Sequence, residues 1–298
     1  MNRGVLYAAG AYTAWGLLPI FWKALAHVPA LEILANRVVW ALVVAMVLGG
    51  LRGRWGWLAG ALRNWRVLAT FALTAALLAF NWGLYIWAVN DGHVVETSLG
   101  YFINPLVNVL LGVLVLRERL RPAQGVAIMV ALSGVLYLTF SYGNPPWIAL
   151  ALASSFGLYG LLRKTASLAS LEGFTLETMV MFLPALAFLI FTEINGGGAL
   201  FHADLGTNLL LMASGLITAV PLLLFAAGAR LVTLTTMGLM QYIAPTLQFL
   251  LGVLVYGEDL TPQRLFGFGL VWLALAIYSL ESAIRGGRAA RARRAGTV

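Results

Sequence analysis

A twenty-residue segment of this chain occurs twice, and the two copies are separated by a constant offset of 140 residues. The first copy, residues 103–122, reads INPLVNVLLGVLVLRERLRP, and the second, residues 243–262, reads IAPTLQFLLGVLVYGEDLTP. Eleven of the twenty positions are identical without gaps, including both prolines, a glycine and a glutamate. Apolar residues match easily by chance in a hydrophobic chain, but registered prolines and glutamates do not. Because internal repeats determine architecture, the sequence predicts a duplicated helical unit.

The length of the apolar runs indicates the environment of the chain. Several runs reach about 20 residues, the length that a helix needs to cross a hydrocarbon core about 30 Å thick. Of the 298 residues, 61% are hydrophobic and only 10% are charged, against about 25% charged in soluble domains. Runs of this length are too long for barrel strands. The fold class is therefore predicted to be an all-α polytopic membrane protein.

Ten transmembrane spans are predicted. They cover approximately residues 4–23, 29–50, 66–90, 94–116, 122–141, 145–162, 171–194, 207–229, 232–256 and 262–283. The first span follows Arg3, as the apolar region of a signal peptide would, but it is too long for one. Trp22-Lys23 also stands where a cleavage region should be. We therefore expect the first span to be a retained membrane helix.

The basic residues segregate to one side of these spans. With the N-terminus in the cytoplasm, 16 of the 19 Lys and Arg residues fall in cytoplasmic segments, and the outer side retains Lys23, Arg37 and Arg264. Cytoplasmic loops are enriched in Lys and Arg, so both termini are predicted to be cytoplasmic. The net charge of +8 then reflects membrane topology, and nucleic-acid binding is not expected.

Two basic segments are expected to contact lipid. Residues 51–66 interleave Trp55, Trp57 and Trp65 with four arginines, which is typical of a cytoplasmic segment lying in the membrane interface. Nucleic-acid binding is a more specific interpretation of this segment, but it is the less favoured of the two. The tail from Arg285 consists mainly of Arg, Ala and Gly and is predicted to be disordered against the inner leaflet.

Five spans in each half give the two halves opposite orientations in the membrane. The predicted organisation is a first five-helix repeat over residues 1–143, a second over residues 144–284, and a basic cytoplasmic tail over 285–298. A short echo between residues 15–18 (WGLL) and 159–162 (YGLL) falls where this duplication requires it. The expected fold is thus two inverted five-helix repeats, and in transporters of this kind the substrate site lies near the midplane between the halves.

Catalytic chemistry is not expected. The three histidines fall in outer loops or at helix ends. The chain has no HExxH, no GxSxG, no phosphate-binding glycine loop and no paired carboxylates at membrane depth. It also contains no cysteine, which excludes disulfides and thiolate metal sites. Neither an enzyme activity nor a metal or cofactor is predicted.

A polar stripe runs along the fourth span. Thr97, Tyr101, Asn104 and Asn108 recur at helical spacing on one face, and Pro105 removes a backbone hydrogen bond beside them. The repeat-related positions in the ninth span are Met237, Gln241, Ala244 and Gln248, beside Pro245. Polar side chains inside a bilayer need protein or water as partners. The stripe predicts either the lining of a cavity or hydrogen bonds between helices.

Aromatic and amide residues at membrane depth extend the candidate site. For each of them a cavity role and core packing are both open, whereas Trp22 and Trp87 are interpreted as interfacial anchors. An apolar, aromatic cavity with few polar groups favours amphipathic or aromatic solutes. The candidate substrate-binding residues are Tyr12, Trp15, Asn81, Trp82, Tyr85, Tyr101, Asn104, Tyr159, Gln241, Tyr242 and Gln248. The prolines expected to bend helices are Pro19, Pro105, Pro184, Pro221 and Pro245.

The charges inside the spans lie toward the outer face. Glu32, Arg37 and Glu96 are expected at similar depth, and Arg37 is predicted to pair with Glu96 or Glu32. Such a pair would act as an outer gate or as a structural lock alone, because buried charges need partners whatever their function. No carboxylate is predicted at the midplane; the nearest, Glu177, lies close to the cytoplasmic end of the seventh span.

Longer motifs carry a resemblance to a known family. They are Val28-Pro29-x-x-Glu32-Ile33-Leu34-x-x-Arg37-Val38-x-Trp40, Asn81-Trp82 with Ile86-Trp87-Ala88-Val89-Asn90, Glu96-x-Ser98-Leu99-Gly100-Tyr101-Phe102-Ile103-Asn104-Pro105-Leu106, and Gln241-Tyr242-Ile243-x-Pro245-Thr246 with Tyr256-Gly257-Glu258. Together they resemble RarD-type permeases of the EamA branch of the drug/metabolite transporter superfamily. The resemblance implies ten helices in two five-helix repeats and a central substrate cavity in the bacterial inner membrane. RarD-type members are named for a link to chloramphenicol sensitivity, and the related YddG-type exporters move aromatic amino acids and amphipathic drugs.

The sequence therefore predicts a secondary transporter that exports small amphipathic metabolites, amino acids including aromatic ones, and related drugs by alternating access. A passive facilitator or channel is the first alternative, and a non-transporting scaffold or lipid scramblase is the second. The expected partners are a small-molecule substrate and membrane lipid. Monomer and homodimer are both left open.

Overall fold

The protein is built from α-helices. The computed structural model describes residues 3–53, 55–142, 145–257 and 262–294, and within these ranges every regular element is helical. Arg54 and Glu258 lie outside them, as do the side chains of Asn90, Arg264 and the arginines from Arg285 onward. The helices are α1 (Arg3–Ala24), α2 (Ala30–Arg52), α3 (Gly56–Arg63), α4 (Trp65–Asn90), α5 (Val94–Leu114), α6 (Pro122–Tyr142), α7 (Trp147–Thr165), α8 (Ser170–Ile194), α9 (Leu205–Leu231), α10 (Leu234–Gln241), α11 (Ile243–Leu254) and α12 (Pro262–Arg294).

Local sequence signals account for several helix ends. The side chain of Asn64 caps α4 by accepting hydrogen bonds from the backbone N–H groups of residues 66 and 67. Asp204 and Thr233 cap α9 and α10 in the same way. Such residues satisfy backbone donors that have no partner within the helix. Gly53 ends α2 in the left-handed conformation, with φ of 60°, which glycine adopts without steric cost.

Eight segments of the described chain are long and apolar enough to cross a membrane, judged by length and composition. Helices α7 and α12 are not among them: α7 ends in Arg163 and Lys164, and the apolar part of α12 is the shorter stretch Leu265–Glu281. By this measure the structure supports eight of the ten predicted spans. The predicted boundaries of all ten lie close to helix ends, except at α12.

The outer surface of the bundle is apolar. Met46 and Val47 on α2 are 43% and 55% exposed, and Leu183 and Phe191 on α8 are 70% and 64% exposed. A soluble protein of this size rarely exposes large contiguous apolar patches. Lipid is the environment in which such a surface is stable, and the fold is that of a helical membrane protein.

Each long helix of the first half has a counterpart in the second: α1 and α7, α2 and α8, α4 and α9, α5 and α10–α11, and α6 and α12. In the most extensive contacts, when two helices pack together, their counterparts also pack together. Helix α1 packs on α9 as α7 packs on α4, and α2 packs on α9 as α8 packs on α4. Helix α5 packs on α7 as α11 packs on α1. The pairs α2–α8, α5–α10 and α6–α12 each join a helix to its own counterpart. The α5–α10 crossing is close, because a Cβ on Gly238 would lie 2.5 Å from the carbonyl oxygen of Pro105.

Two details differ from the prediction, and a third, helix α3, adds to it. The ninth span is divided at Tyr242 into α10 and α11, and Pro245 is the third residue of α11, a position where proline is tolerated because first-turn N–H groups lack helical partners. The other four prolines named above lie inside continuous helices. Residues 56–63 of the interfacial segment form the short helix α3. The tail predicted to be disordered continues α12 to Arg294, consistent with the high helix propensity of Ala and Arg.

Candidate functional site

A cavity of about 230 Å³ lies between the two halves of the chain. Its volume is slightly below the usual range for ligand pockets, about 300–1,000 Å³. Nine of the eleven candidate substrate-binding residues line it, with α1, α2, α4 and α5 contributing from the first half and α7, α9, α10 and α11 from the second. The lining residues are Tyr12, Trp15, Leu18, Pro19, Trp22, Arg37, Asn81, Trp82, Tyr85, Thr97, Gly100, Tyr101, Asn104, Leu152, Phe156, Leu222, Gln241, Ala244, Pro245 and Gln248.

The polar stripes of the two repeats meet directly. Asn108 Nδ2 donates to Gln241 Oε1 at 2.7 Å across the α5–α10 crossing, and to Asn104 Oδ1 at 3.3 Å along α5. Asn104 and Gln241 line the cavity, whereas Asn108 is fully buried behind them. Both predictions for the stripe thus hold, but for different residues. Asn108 forms the hydrogen bond between the helices, and Asn104 and Gln241 line the cavity with their amide groups.

The wall formed by α4 is held by its own amide. Asn81 Nδ2 donates to the Leu152 carbonyl and to Ser155 Oγ on α7, both at 2.9 Å. One turn along α4, the ring of Tyr85 meets the ring of Tyr101 edge to face, with centroids 6.1 Å apart. The hydrogen bonds of Asn81 therefore hold α4 against α7, and two phenol rings form the adjoining surface.

An aromatic layer forms one end of the cavity, which we call the floor: Tyr12, Trp15, Phe156, Tyr159 and Phe225. Successive rings lie 5.3 to 6.2 Å apart, and those of Tyr159 and Phe225 stack with an interplanar angle of 17°. The hydroxyl oxygens of Tyr12 and Tyr159 are buried without a hydrogen-bond partner among the described residues. The packed rings of the floor close the cavity at this end.

A buried ion pair lies one helical turn beyond the floor. Arg163, four residues after Tyr159, places its Nε 3.6 Å from Glu177 Oε1, with side chains 1% and 0% exposed. The guanidinium also donates to the Ser170 carbonyl at 3.0 Å and lies 5.3 Å from the ring centre of Phe71. The sequence located Glu177 but not its partner, because only the tertiary structure, in which α7 and α8 both pack on α4, brings the two side chains together.

Two predicted binding residues lie outside the lining. Tyr159 packs in the floor, behind the residues that face the cavity. Tyr242 is fully buried, and its hydroxyl donates to the Phe102 carbonyl at 3.2 Å. Gln248 does line the cavity, and its Nε2 donates to the Trp15 carbonyl at 3.3 Å. Tyr242 follows Gln241 directly, and successive residues of a helix point about 100° apart, so Gln241 faces the cavity and Tyr242 does not.

The predicted ion pairs of Arg37 are not formed among the described residues. Glu32 Oε1 accepts the backbone N–H groups of residues 199 and 200, before α9, at 2.5 and 3.3 Å. Glu96 Oε2 accepts the Ile148 N–H at the start of α7 at 3.3 Å. Both carboxylates thus hydrogen-bond backbone N–H groups of the other half of the chain. Arg37 lines the cavity instead, with its Nε donating to Thr218 Oγ1 at 3.0 Å.

Several lining residues were not among the candidates. Trp22, interpreted from the sequence as an interfacial anchor, lies in the cavity wall near Arg37. Two of them could have been found from the sequence, because Thr97 belongs to the predicted stripe and Phe156 lies within one helical turn of the repeated YGLL segment at residues 159–162. Leu152 and Leu222 had none, because an apolar residue in an apolar helix does not report which way it points. No group of three metal-ligating side chains occurs within the described ranges.

Residues 2–140 and 145–280 both match the EamA-like transporter family. The chain belongs to the EamA-like transporter family. Among its EamA-like relatives, Protein RarD of Streptomyces exfoliatus is 51% identical over 293 residues, which cover 98% of this chain and 92% of that protein. The uncharacterized transporter YojE of Bacillus subtilis (strain 168) is 44% identical over 285 residues, covering 94% of each.

A solved crystal structure has a similar overall fold. It aligns with a TM-score of 0.72 over 93% of this chain and 97% of its own, at 20% sequence identity. At that identity the likeness concerns the fold alone. The chain is therefore a multi-pass membrane transporter of the EamA-like family and not an enzyme.

Proposed function

We propose that the protein is a bacterial inner-membrane secondary transporter that exports small amphipathic metabolites, among them amino acids including aromatic ones, and related drugs. The observation that carries this proposal is the cavity between the halves, which combines amide groups and aromatic rings from both repeats. A concave, largely apolar site with a few convergent polar groups is typical of small-molecule binding. Indole and phenol rings on its wall suit solutes with an aromatic or apolar body.

The proposed architecture is ten transmembrane helices in two inverted five-helix repeats, residues 1–143 and 144–284. Helices α7 and α12 supply the two spans beyond the eight identified by length and composition. The exchange of packing pairs between the halves supports a pseudo-two-fold relation. Two similar halves can adopt two arrangements of nearly equal energy, each open to one side, which is the basis of alternating access.

The proposed resting state is open to the outside. With both termini in the cytoplasm, the cavity lies in the outer half of the bundle, since it is lined by the C-terminal half of α1 and the N-terminal half of α5. The floor and the Arg163–Glu177 pair then lie on the cytoplasmic side. Glu118 strengthens this closure, because its carboxylate accepts the N–H groups of Leu234 and Thr235 at the start of α10 at 2.6 and 2.9 Å.

The experiment is uptake of a labelled amino-acid panel into proteoliposomes, with and without a pH gradient, followed by counterflow. We expect saturable uptake and counterflow by the wild type. Replacement of Tyr101, Asn104 or Gln241 with alanine should reduce uptake at least about tenfold, as expected when a substrate-binding contact of roughly 1.5 kcal/mol is lost. Tyr7→Ala is a matched control, since Tyr7 is 37% exposed, like Tyr101 at 38%, but does not line the cavity.

Three results would overturn the proposal. Normal transport by all three cavity variants at normal expression would place the site elsewhere. Flux that is insensitive to ion gradients and shows no counterflow would identify a channel. Absence of all solute uptake would favour a scaffold or scramblase.

A further inference from the structure

The cavity contains a single kind of charge. Of its twenty lining residues in the described part of the chain, Arg37 alone is ionisable at neutral pH. A guanidinium is always protonated in proteins, so the cavity wall carries one positive charge. An ionised side chain at membrane depth is costly unless it has a partner, and it marks a substrate or ion pathway by default.

The guanidinium of Arg37 is held in place without being neutralised. Its Nε donates to Thr218 Oγ1 at 3.0 Å, and its Cζ lies 4.2 Å from the ring centre of Trp82 and 5.1 Å from that of Trp22. No carboxylate among the described residues is within ion-pair distance of it, because Glu32 and Glu96 hydrogen-bond elsewhere.

The terminal amino groups of Arg37 remain available to a ligand. Among the described residues they donate to no protein acceptor. They are also not completely buried, and we take them to reach the cavity surface, which Arg37 lines. A guanidinium presents such groups as a planar fork that matches both oxygens of a carboxylate. The bond to Thr218 and the indole of Trp82 fix the direction of this fork.

The rest of the lining offers nothing that neutralises a cation. It contains no carboxylate; its side chains are indole, phenol and phenyl rings, amides, the Thr97 hydroxyl and aliphatic groups. An ammonium group would be solvated there by amide and hydroxyl oxygens and by ring faces, without an ion pair. One positive charge also balances one negative charge, which favours a monocarboxylate over a doubly charged phosphate.

We propose that Arg37 binds the carboxylate of the solute, and that the substrate class is small monocarboxylates with an aromatic or apolar body, in which the α-amino group is dispensable. This inference rests on the proposed function, since it concerns the same cavity. It changes the expected role of Arg37 from gate or lock to substrate-binding residue. It also extends the substrate class from amino acids to their deaminated analogues.

The test uses three compounds that share one phenyl body: 3-phenylpropanoate, phenylalanine and 2-phenylethylamine. Their binding to the full-length protein in detergent is measured by calorimetric titration. We expect the two carboxylates to bind and the amine to bind at least about tenfold more weakly, as one charge-assisted hydrogen bond predicts. Arg37→Met should weaken both carboxylates at least about 30-fold and leave the amine unchanged.

Three further variants keep the test decisive if Arg37→Met does not fold. Arg37→Lys retains the charge without the fork and should give an intermediate loss for the carboxylates. Thr218→Val removes only the hydrogen bond to Nε and should give a smaller loss of the same selectivity. Lys23→Met removes a cation that lies 3.7 Å from the ring centre of Tyr256, outside the cavity lining, and should change nothing.

The outcomes separate this inference from the proposed function. Equal binding of amine and carboxylates, or carboxylate affinity unchanged in the Arg37 and Thr218 variants, overturns the inference and leaves transport intact. Arg37-dependent binding without uptake in proteoliposomes supports the inference and overturns the transport proposal. A wild type that binds none of the three compounds overturns the inference.

Discussion

The buried pair beneath the floor allows a quantitative test of the packing. Arg163 and Glu177 are almost completely inaccessible to solvent, and their nearest charged atoms are 3.6 Å apart, within ion-pair distance but beyond a good hydrogen bond. Glu177→Gln would leave a guanidinium buried without a counter-charge. Breaking a buried pair in this way costs about 3–5 kcal/mol. The Ser170 carbonyl, which accepts from Arg163 at 3.0 Å, still solvates the cation, so we expect the lower end, about 3 kcal/mol.

The measurement is thermal unfolding of purified protein in detergent. For chains of 150–250 residues, 1 kcal/mol shifts Tm by about 2–4 °C, so Glu177→Gln should lower Tm by about 6–12 °C. The double variant Arg163→Met with Glu177→Leu should recover most of this loss, because an apolar replacement of a whole buried pair is often neutral or stabilising. Glu193→Gln is the control: its carboxylate is 52% exposed beside His202, and exposed pairs contribute at most about 1 kcal/mol.

Either of two results would refute this reasoning. A Tm for Glu177→Gln equal to that of the control would mean that Glu177 does not neutralise the arginine. If the loss in the double variant equals the sum of the losses in the single variants Arg163→Met and Glu177→Leu, the two side chains are not coupled.

Three further predictions concern the crossing between the halves and can be measured in the same unfolding assay. Gly238→Ala should lower the free energy of unfolding by about 1–3 kcal/mol through overpacking against α5. The control Gly269→Ala, at an open position in α12, should leave it unchanged or raise it by up to about 1 kcal/mol. Equal effects of the two variants would contradict the close approach of α10 and α5. Replacement of Asn108 and Gln241 with leucine, singly and together, should give a coupling energy of about 0.6–1.7 kcal/mol, and zero coupling would rule out their 2.7 Å hydrogen bond. Glu118→Gln should destabilise by up to about 2 kcal/mol, because it removes the negative charge at the N-terminus of α10, and should speed amide hydrogen exchange in that helix; unchanged exchange would argue against the contact.

The lengths of the apolar runs and the residues at their ends were sufficient to place most of the helices. Long apolar runs bounded by Pro, Gly and Asn placed the ends of most helices within a few residues, because a membrane helix must be apolar over its whole length and its ends need breakers or caps. The amide stripe was also readable, since polar residues at helical spacing in an apolar helix identify one face. Asn104 and Gln241, both named from the sequence, line the cavity.

The partners of the charged residues depended on the tertiary structure. Sequence gives the depth of Arg37 and Glu96 along their helices, but not the rotation of those helices or the neighbours they meet. Helices such as α1 and α8 have no distinct apolar face opposite a polar one, so their hydrophobic pattern does not report their orientation. Packing between the halves decided that Glu96 binds the start of α7 and that Arg37 faces the cavity without an ion-pair partner among the described residues. The arrangement of helices within the second half decided that Arg163 meets Glu177. Residues distant in sequence become partners only through that packing, and the proposed specificity for carboxylates depends on it.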